Sequence, residues 1–83
     1  MTEEFRNNIP KEIRGIISKN IKDLRKARNI TQEDLVRLTG ISRPTIARIE
    51  TCRHSISVEH LFIIAKVLEV SINDLLYGWE EVF

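Results

Sequence analysis

The sequence contains little of several residue types that would otherwise define its class. Its 83 residues include a single cysteine, Cys52, so an internal disulfide is impossible and a reducing compartment is favoured. Three glycines are too few for a phosphate-binding glycine loop. No apolar run approaches the roughly 20 residues needed to cross a bilayer, and the N-terminal segment lacks the features of a signal peptide. We therefore predict one cytoplasmic domain with a modest core and no membrane association.

Catalytic and metal-binding residue sets are also sparse. No combination of nucleophile, base and orienting acid can be picked out, so the sequence predicts neither enzyme activity nor a cofactor. Cys52, His54 and His60 form one weak metal-binding pattern. Structural zinc usually takes four ligands at defined spacing, and the fourth ligand would have to be Glu59. We therefore predict no metal site, and place His54 in a loop and His60 on the surface.

Positive and negative charges nearly balance overall but are separated along the chain. From Lys11 to His54 there are eleven Lys and Arg residues against five acids, whereas the rest of the chain holds two basic and seven acidic residues. A basic half of this kind attracts phosphates, although a solvated helix surface is the alternative for any charge cluster. The solvated surface is favoured for Lys19, Lys22 and Lys26.

Apolar spacing and capping residues predict five helices and no strands. The first helix is expected to follow Pro10 and to end near Asn29, with an apolar stripe at Ile13, Ile16, Ile17, Ile21 and Leu24. The other helices are expected to open at the N-caps Thr31, Ser42, Ser57 and Ser71. The fourth helix is predicted over about residues 58 to 69, and the fifth over about 72 to 77, closed by Gly78.

Residues 32 to 51 contain two short amphipathic helices that flank Gly40, where a left-handed backbone is needed. On the second helix, Ile46 and Ile49 face inward. Pro44 falls in the first turn, where its missing amide hydrogen is harmless. The outward face carries Arg43, Pro44, Thr45, Ala47 and Arg48. This is the layout of a helix-turn-helix, whose second helix can enter a DNA major groove.

Over about residues 18 to 76 the chain resembles the single-domain Cro/phage-repressor (XRE-like) helix-turn-helix regulators. The resemblance is carried by a lead-in of Ile21, Leu24, Arg25, Arg28, Ile30, Thr31 and Gln32, a centre of Gly40, Ile41, Ser42, Thr45, Ile46, Ile49 and Glu50, and a tail of Leu61, Ala65, Leu68, Val70, Ser71 and Leu75. The chain departs from the family at Val36, where Ala is usual, at Pro44, and at Cys52 and Ile56, which replace a common Gly and Pro.

The resemblance implies an all-α, compact five-helix lambda-repressor-like fold and a transcriptional regulator that binds double-stranded DNA. We predict one DNA-binding domain over residues 1–83, with the helix-turn-helix at about 32–51, an N-terminal extension at 1–12 and an apolar C-terminal tail at 77–83.

Four residues of the recognition helix are predicted to contact bases. Arg43 and Arg48 are favoured because one guanidinium can pair with both O6 and N7 of guanine. Thr45 can bond a base edge or place its methyl group against thymine, and Pro44 can offer an apolar contact. The alternative for Thr45 is that it only fills the helix surface.

Phosphate contacts are predicted at the ends of the motif. Gln32 opens the second helix, where its amide and the free backbone N–H groups can hold a phosphate, and the resembling family uses this glutamine in that way. Further candidates, for which ordinary solvated side chains are the alternative, are Arg28, Ser42 and Arg53. The resemblance also pairs Arg25 with Glu50 as a structural ion pair.

The fourth helix is apolar nearly all round. Beyond its inward stripe of Leu61, Ala65 and Leu68, it carries Phe62, Ile63, Ile64 and Val67, so a second face must be covered. The cover is either the same chain, through its N-terminal residues and a tail of Tyr77, Trp79, Val82 and Phe83, or a second subunit. The resemblance favours a homodimer.

Two function classes follow. The first is a dimeric repressor of a palindromic operator, because a two-fold dimer reads half-sites roughly 34 Å apart. The second is a protein-interaction module with the same fold, such as an antitoxin-like partner of another protein. A regulatory protein partner is compatible with both.

Overall fold

The computed structural model describes residues 3–53 and 55–81. Over these residues the chain forms five α-helices and one short 3₁₀ helix, with no strand: α1 Glu3–Ala27, α2 Gln32–Thr39, α3 Arg43–Glu50, α4 Val58–Leu68, α5 Ile72–Leu76 and the 3₁₀ helix Trp79–Glu81. The predicted all-α fold is confirmed, whereas the 3₁₀ helix was not predicted. His54, Val82 and Phe83 lie outside the described residues, and so do the predictions made for them.

The first helix begins earlier than its sequence predicts. We expected α1 to follow Pro10, but it begins at Glu3 and continues through the proline. The prediction was wrong because a proline inside a helix removes one hydrogen bond and crowds the carbonyl four residues before it, which can kink a helix without ending it.

The end of α1 lies where it was expected. Asn29 adopts a left-handed backbone with φ 56°. Its N–H donates to the carbonyl of Lys26 at 3.0 Å, and the N–H of Ile30 donates to that of Arg25 at 3.0 Å. This pair of bonds closes the helix in a Schellman motif.

The four predicted N-caps are confirmed. Each hydroxyl oxygen accepts a hydrogen bond from the backbone N–H three residues later, at distances between 3.0 and 3.3 Å: Thr31, Ser42, Ser57 and Ser71. Helices α4 and α5 each end one residue earlier than predicted. Residue Glu69, which follows α4, takes a left-handed backbone with φ 57°.

The core is formed by apolar residues from all five helices and from the turn between α2 and α3: Ile17, Ile21, Leu35, Ile41, Ile46, Ile49, Ile64, Ala65, Leu68 and Leu75. Helix α1 contacts α3, α4 and α5, while α2 contacts α3 and α4. The side-chain amide of Asn20 links α1 to α5, because it donates to the backbone carbonyls of Leu75 at 2.9 Å and Tyr77 at 3.0 Å. Helices α2 and α3 therefore pack against α4 and α1, which are themselves in contact with α5.

Candidate nucleic-acid interface

The turn between α2 and α3 has the geometry that its glycine predicts. Gly40 has φ 75°, and its N–H donates to the carbonyl of Val36 at 3.0 Å. Ile41 follows immediately and is 6% exposed. Because the chain reverses at Gly40, α3 packs against α2 and turns its other side to the surface.

Helix α3 presents a polar face that is supported by the core. Ile46 and Ile49 are 1% and 3% exposed, as the spacing predicts. Pro44 lies in the first turn of the helix. On the opposite side Arg43, Pro44 and Arg48 are exposed, while Thr45 and Ala47 are partly buried. The four residues predicted to contact bases thus belong to one accessible surface.

The Thr45 hydroxyl also takes part in the N-cap. Its oxygen accepts a hydrogen bond from the Ser42 hydroxyl at 2.8 Å, and its backbone N–H donates to the same Ser42 oxygen at 3.3 Å. Because the Thr45 oxygen is an acceptor here, its own proton remains free to be donated to a base edge.

Arg43 is paired with an acid that sequence reasoning did not associate with it. Both terminal nitrogens of its guanidinium contact the Glu33 carboxylate, Nη1 on Oε1 and Nη2 on Oε2. The two side chains are 59% and 62% exposed. They come from the first turns of α2 and α3 and are ten residues apart, so helical spacing gives no sign of the pair. Their opposite charges, in the first turns of two helices that pack together, were the available signal.

Arg25 and Glu50, which the sequence analysis paired, are joined by two hydrogen bonds. Arg25 donates from Nε to Oε2 at 2.9 Å and from Nη2 to Oε1 at 3.1 Å. The side chains are only 11% and 4% exposed. Arg25 Nη1 donates to the carbonyl of Ile30 at 2.9 Å, so the guanidinium is bonded on two edges.

Two further contacts at Glu50 were not predicted. Gln32 donates from its side-chain amide to Glu50 Oε1 at 3.3 Å, and the buried Ser18 hydroxyl donates to the Glu50 backbone carbonyl at 2.7 Å. The carboxyl end of α3 is therefore fastened both to α1 and to the start of α2. One of the two side-chain N–H groups of Gln32 remains available for a phosphate.

The other phosphate candidates occupy the ends of elements around the motif. Arg28 follows α1 and donates to the carbonyl of Leu24 at 3.5 Å. Ser42 is the N-cap of α3. Arg53 is exposed and follows α3, one residue beyond Cys52, which has a left-handed backbone with φ 63°. All three are exposed.

Carboxylates beside these elements are stabilised in their charged form. The backbone N–H of Thr31 donates to Asp34 at 3.0 Å and lowers the pKa of that carboxyl. The hydrogen bond from Lys19, at 2.7 Å, lowers the pKa of Asp23. Lys19 is therefore engaged in a surface ion pair, in keeping with the solvated surface favoured for it.

Helix α4 exposes an apolar strip. Phe62 is 59% exposed and Ile63 is 38% exposed. With Val67 and Lys66 they line a shallow depression, and we call these four residues the α4 patch. Tyr77 and Trp79 are themselves 78% and 47% exposed, so the described part of the tail does not cover the patch. Among the described residues, no helix is both long enough and apolar enough to span a membrane.

Comparison with known proteins gives a family match over most of the chain. The profile of the helix-turn-helix family HTH_3 matches residues 21–75. The chain is similar to the control protein C.SmaI of Serratia marcescens, with 31% identity over 65 residues, covering 78% of this chain and 77% of that protein. It is also similar to the antitoxin PezA of Streptococcus pneumoniae serotype 4, with 42% identity over 60 residues. That match covers 72% of this chain but only 38% of PezA.

A solved structure agrees with these matches. The fold is similar to that of a mutant of the restriction-modification controller protein C.Esp1396I, with a TM-score of 0.73, 28% identity, and coverage of 84% of this chain and 89% of that one. The predicted resemblance is thus confirmed. The chain belongs to the HTH_3 helix-turn-helix family of DNA-binding transcriptional regulators.

Proposed function

We propose that the chain is a dimeric, sequence-specific repressor that acts in the cytoplasm by covering a palindromic operator, without catalysis or a cofactor. The observation that carries the proposal is the polar outer face of α3, where Arg43 and Arg48 are exposed above the buried Ile46 and Ile49. A guanidinium on such a face can bond guanine O6 and N7 together. Repression needs only occupancy of the operator.

The Arg25–Glu50 pair supports the same proposal. It fixes the carboxyl end of α3 to α1 through two hydrogen bonds that are almost fully shielded from water. A helix held at this end, and capped by Ser42 at the other, keeps its side chains in a constant position relative to the core. Base readout depends on such positioning, because each good bidentate pair discriminates by about 1 to 3 kcal/mol only when it is aligned.

The direct test is a titration of labelled DNA from upstream of the chain's own gene against a scrambled duplex, at about 50 and 200 mM salt. We expect a preference of about a thousandfold or more for one target, with affinity that falls steeply as salt rises. Equal and weak binding to every duplex, including those from a random-sequence selection, would contradict the proposal.

Variants at Arg48 separate base contact from phosphate contact. Arg48→Ala is expected to lose discrimination at one base-pair position, by about 1 to 3 kcal/mol. Arg37→Ala removes the same charge from α2, where Arg37 pairs with Asp34, and serves as the control. Uniform weakening of Arg48→Ala on all sequences would make Arg48 a phosphate contact instead.

We further propose phosphate contacts from Gln32, Arg28, Ser42 and Arg53. The start of α2 supports this role for Gln32, because backbone N–H groups of the first turn and the helix dipole favour an anion there. Arg53→Ala should weaken binding equally on every sequence and reduce the salt slope by about 1. An altered sequence preference would assign Arg53 to base readout.

Homodimerisation through the α4 patch is proposed because a large apolar ring there is left in water. Phe62 is 59% exposed beside Ile63 and Val67, and exposed apolar patches mark interaction surfaces. Sedimentation should show dimers at micromolar concentration, and Phe62→Lys should yield monomers that bind the operator weakly. Leu38→Lys, which replaces an exposed side chain of α2, is the control. A wild-type protein that stays monomeric both free and on DNA would refute the dimer.

A second function, as an interaction module for another protein, is supported by the same patch and by the similarity to a protein named as an antitoxin. Two results together would favour this function over the repressor. The wild type, but not Phe62→Lys, would capture a second protein stoichiometrically, and the wild type would show no preference among DNA duplexes. Dimers with strong sequence preference would leave the repressor as the primary function.

A further inference from the structure

The two arginines of the recognition helix differ in how they are held. Arg43 is bound through both terminal nitrogens by Glu33 of α2. Within the described part of the chain, the Arg48 side chain makes no hydrogen bond or ion pair. The same helix thus carries one arginine whose guanidinium is ion-paired and one whose guanidinium makes no such contact within the described residues. This contrast is independent of the base contacts proposed above.

The geometry of the pair leaves half of the Arg43 guanidinium available. Glu33 occupies the terminal edge, because its two oxygens contact Nη1 and Nη2. A guanidinium has five N–H donors, so the edge formed by Nε–H and the neighbouring Nη–H remains open. Two adjacent N–H groups are what guanine O6 and N7 require. One Arg43 side chain can therefore bond Glu33 and guanine at the same time.

We infer that Glu33 is a specificity-determining residue that acts by positioning Arg43 for base recognition. The inference rests on the proposed function, since it assigns a partner to one of the proposed base contacts. An arginine that is already ordered loses less side-chain freedom when it binds a base. The exposed pair contributes little to folding, so removing Glu33 should leave the fold intact and change only recognition.

The charge of Glu33 adds a second effect of opposite sign on affinity. A carboxylate at the DNA-facing side of the motif repels phosphates, and this repulsion is the same for every sequence. A correctly placed guanine contact offsets it, whereas a wrong base pair does not. The net effect of Glu33 is therefore to lower binding to non-cognate DNA more than binding to the operator, and the difference between the two comes from the positioned Arg43 contact and not from the repulsion itself.

The test is a double-mutant cycle on a duplex obtained by selection from random sequences. The variants are Glu33→Ala, Arg43→Ala and the double variant, with Glu59→Ala as the control that removes one exposed acid elsewhere. Affinity is measured for the selected duplex and for duplexes changed singly at the base pairs read by Arg43 and by Arg48. Melting temperatures establish that all variants fold.

Glu33→Ala is expected to reduce discrimination at the Arg43 base pair by about three- to tenfold, while it tightens binding to scrambled DNA. Discrimination at the Arg48 base pair should not change. In the Arg43→Ala background, Glu33→Ala should have no further effect on discrimination, because the residue acts through Arg43. Glu33→Gln, which keeps one oxygen for Arg43, should recover part of the loss.

Three outcomes would overturn the inference: unchanged discrimination in Glu33→Ala, an equal loss at the Arg48 base pair, or the same loss when Arg43 is already alanine. Each of these results concerns the variants and is compatible with a wild-type protein that binds its selected duplex specifically, so the proposed function survives it. A wild-type protein with no sequence preference would instead overturn the proposed function and this inference together.

Discussion

Glu50→Ala is expected to destabilise the fold strongly, because it leaves a nearly buried positive charge without its partner. The Arg25 side chain is 11% exposed and would lose the acceptors of its Nε and Nη2 groups. The Gln32 amide would lose its acceptor as well. Removing one member of a buried ion pair costs about 3 to 5 kcal/mol, a large fraction of the roughly 4 to 12 kcal/mol that a chain of this length has in total.

Thermal and urea unfolding followed by circular dichroism measure the loss. At roughly 4 to 8 °C per kcal/mol for a domain of this size, the melting temperature should fall by about 12 °C or more. Glu59→Ala, at an exposed acid, should change stability by less than about 0.5 kcal/mol. The double variant Arg25→Met with Glu50→Leu should recover much of the loss, since no charge remains unpaired. An unchanged melting temperature in Glu50→Ala would refute a stabilising role for the pair.

Two other predictions concern local features of the motif. Gly40→Ala should cost about 1 to 2 kcal/mol in urea unfolding, because φ is 75° although an added Cβ would meet no atom within 4 Å; Gly40→Asn should cost less, and equal costs would argue against backbone strain. Asp34 gives an acid-sensitive contribution to stability: its folded pKa lies below the usual 3.8 because the Thr31 N–H bonds the carboxylate, so the contribution is complete above that value and is lost as the pH falls through the folded pKa. Asp34→Asn should therefore be less stable than the wild type at neutral pH and show a smaller stability loss on acidification below about pH 4; a parallel loss in both proteins would contradict this.

Local signals account for most of what could be predicted. Caps such as Thr31 and Ser71 act within three residues of themselves, and Gly40 reports a backbone conformation, so each was visible in the sequence. The start of α1 was not predictable in this way, because proline is typical of the first turn of a helix and here Pro10 lies inside one. Contacts between helices, such as Gln32 with Glu50, depend on how the elements pack, which neither spacing nor charge reveals.

The candidate interface likewise contains some features that the sequence predicts and others that depend on how the helices pack. The exposed face of α3 followed from the 3.6-residue period and the positions of Ile46 and Ile49. The resemblance supplied the Arg25–Glu50 pair, which no local pattern suggests. For the Glu33–Arg43 contact the opposite charges of the two residues were the only signal, and the contact itself also depends on the angle between α2 and α3 and on the rotamers of two long side chains.

The backbone conformation after three of the helices affects the stability of the protein and so its concentration in the cell. Three residues that are not glycine have a left-handed backbone at these ends, with φ 56°, 63° and 57°: Asn29, Cys52 and Glu69. Glycine adopts this conformation with less strain, and a residue with a Cβ costs about 1 to 2 kcal/mol more there. A change of about 1 to 2 kcal/mol in the free energy of unfolding alters the cellular abundance of a protein several-fold, because unfolded chains are degraded. A glycine at Cys52 or Glu69 would therefore raise the concentration of the folded protein without changing any of the α3 side chains that we propose as base contacts. The cellular concentration of this regulator therefore depends on the residues that follow its helices as well as on the rate of its synthesis.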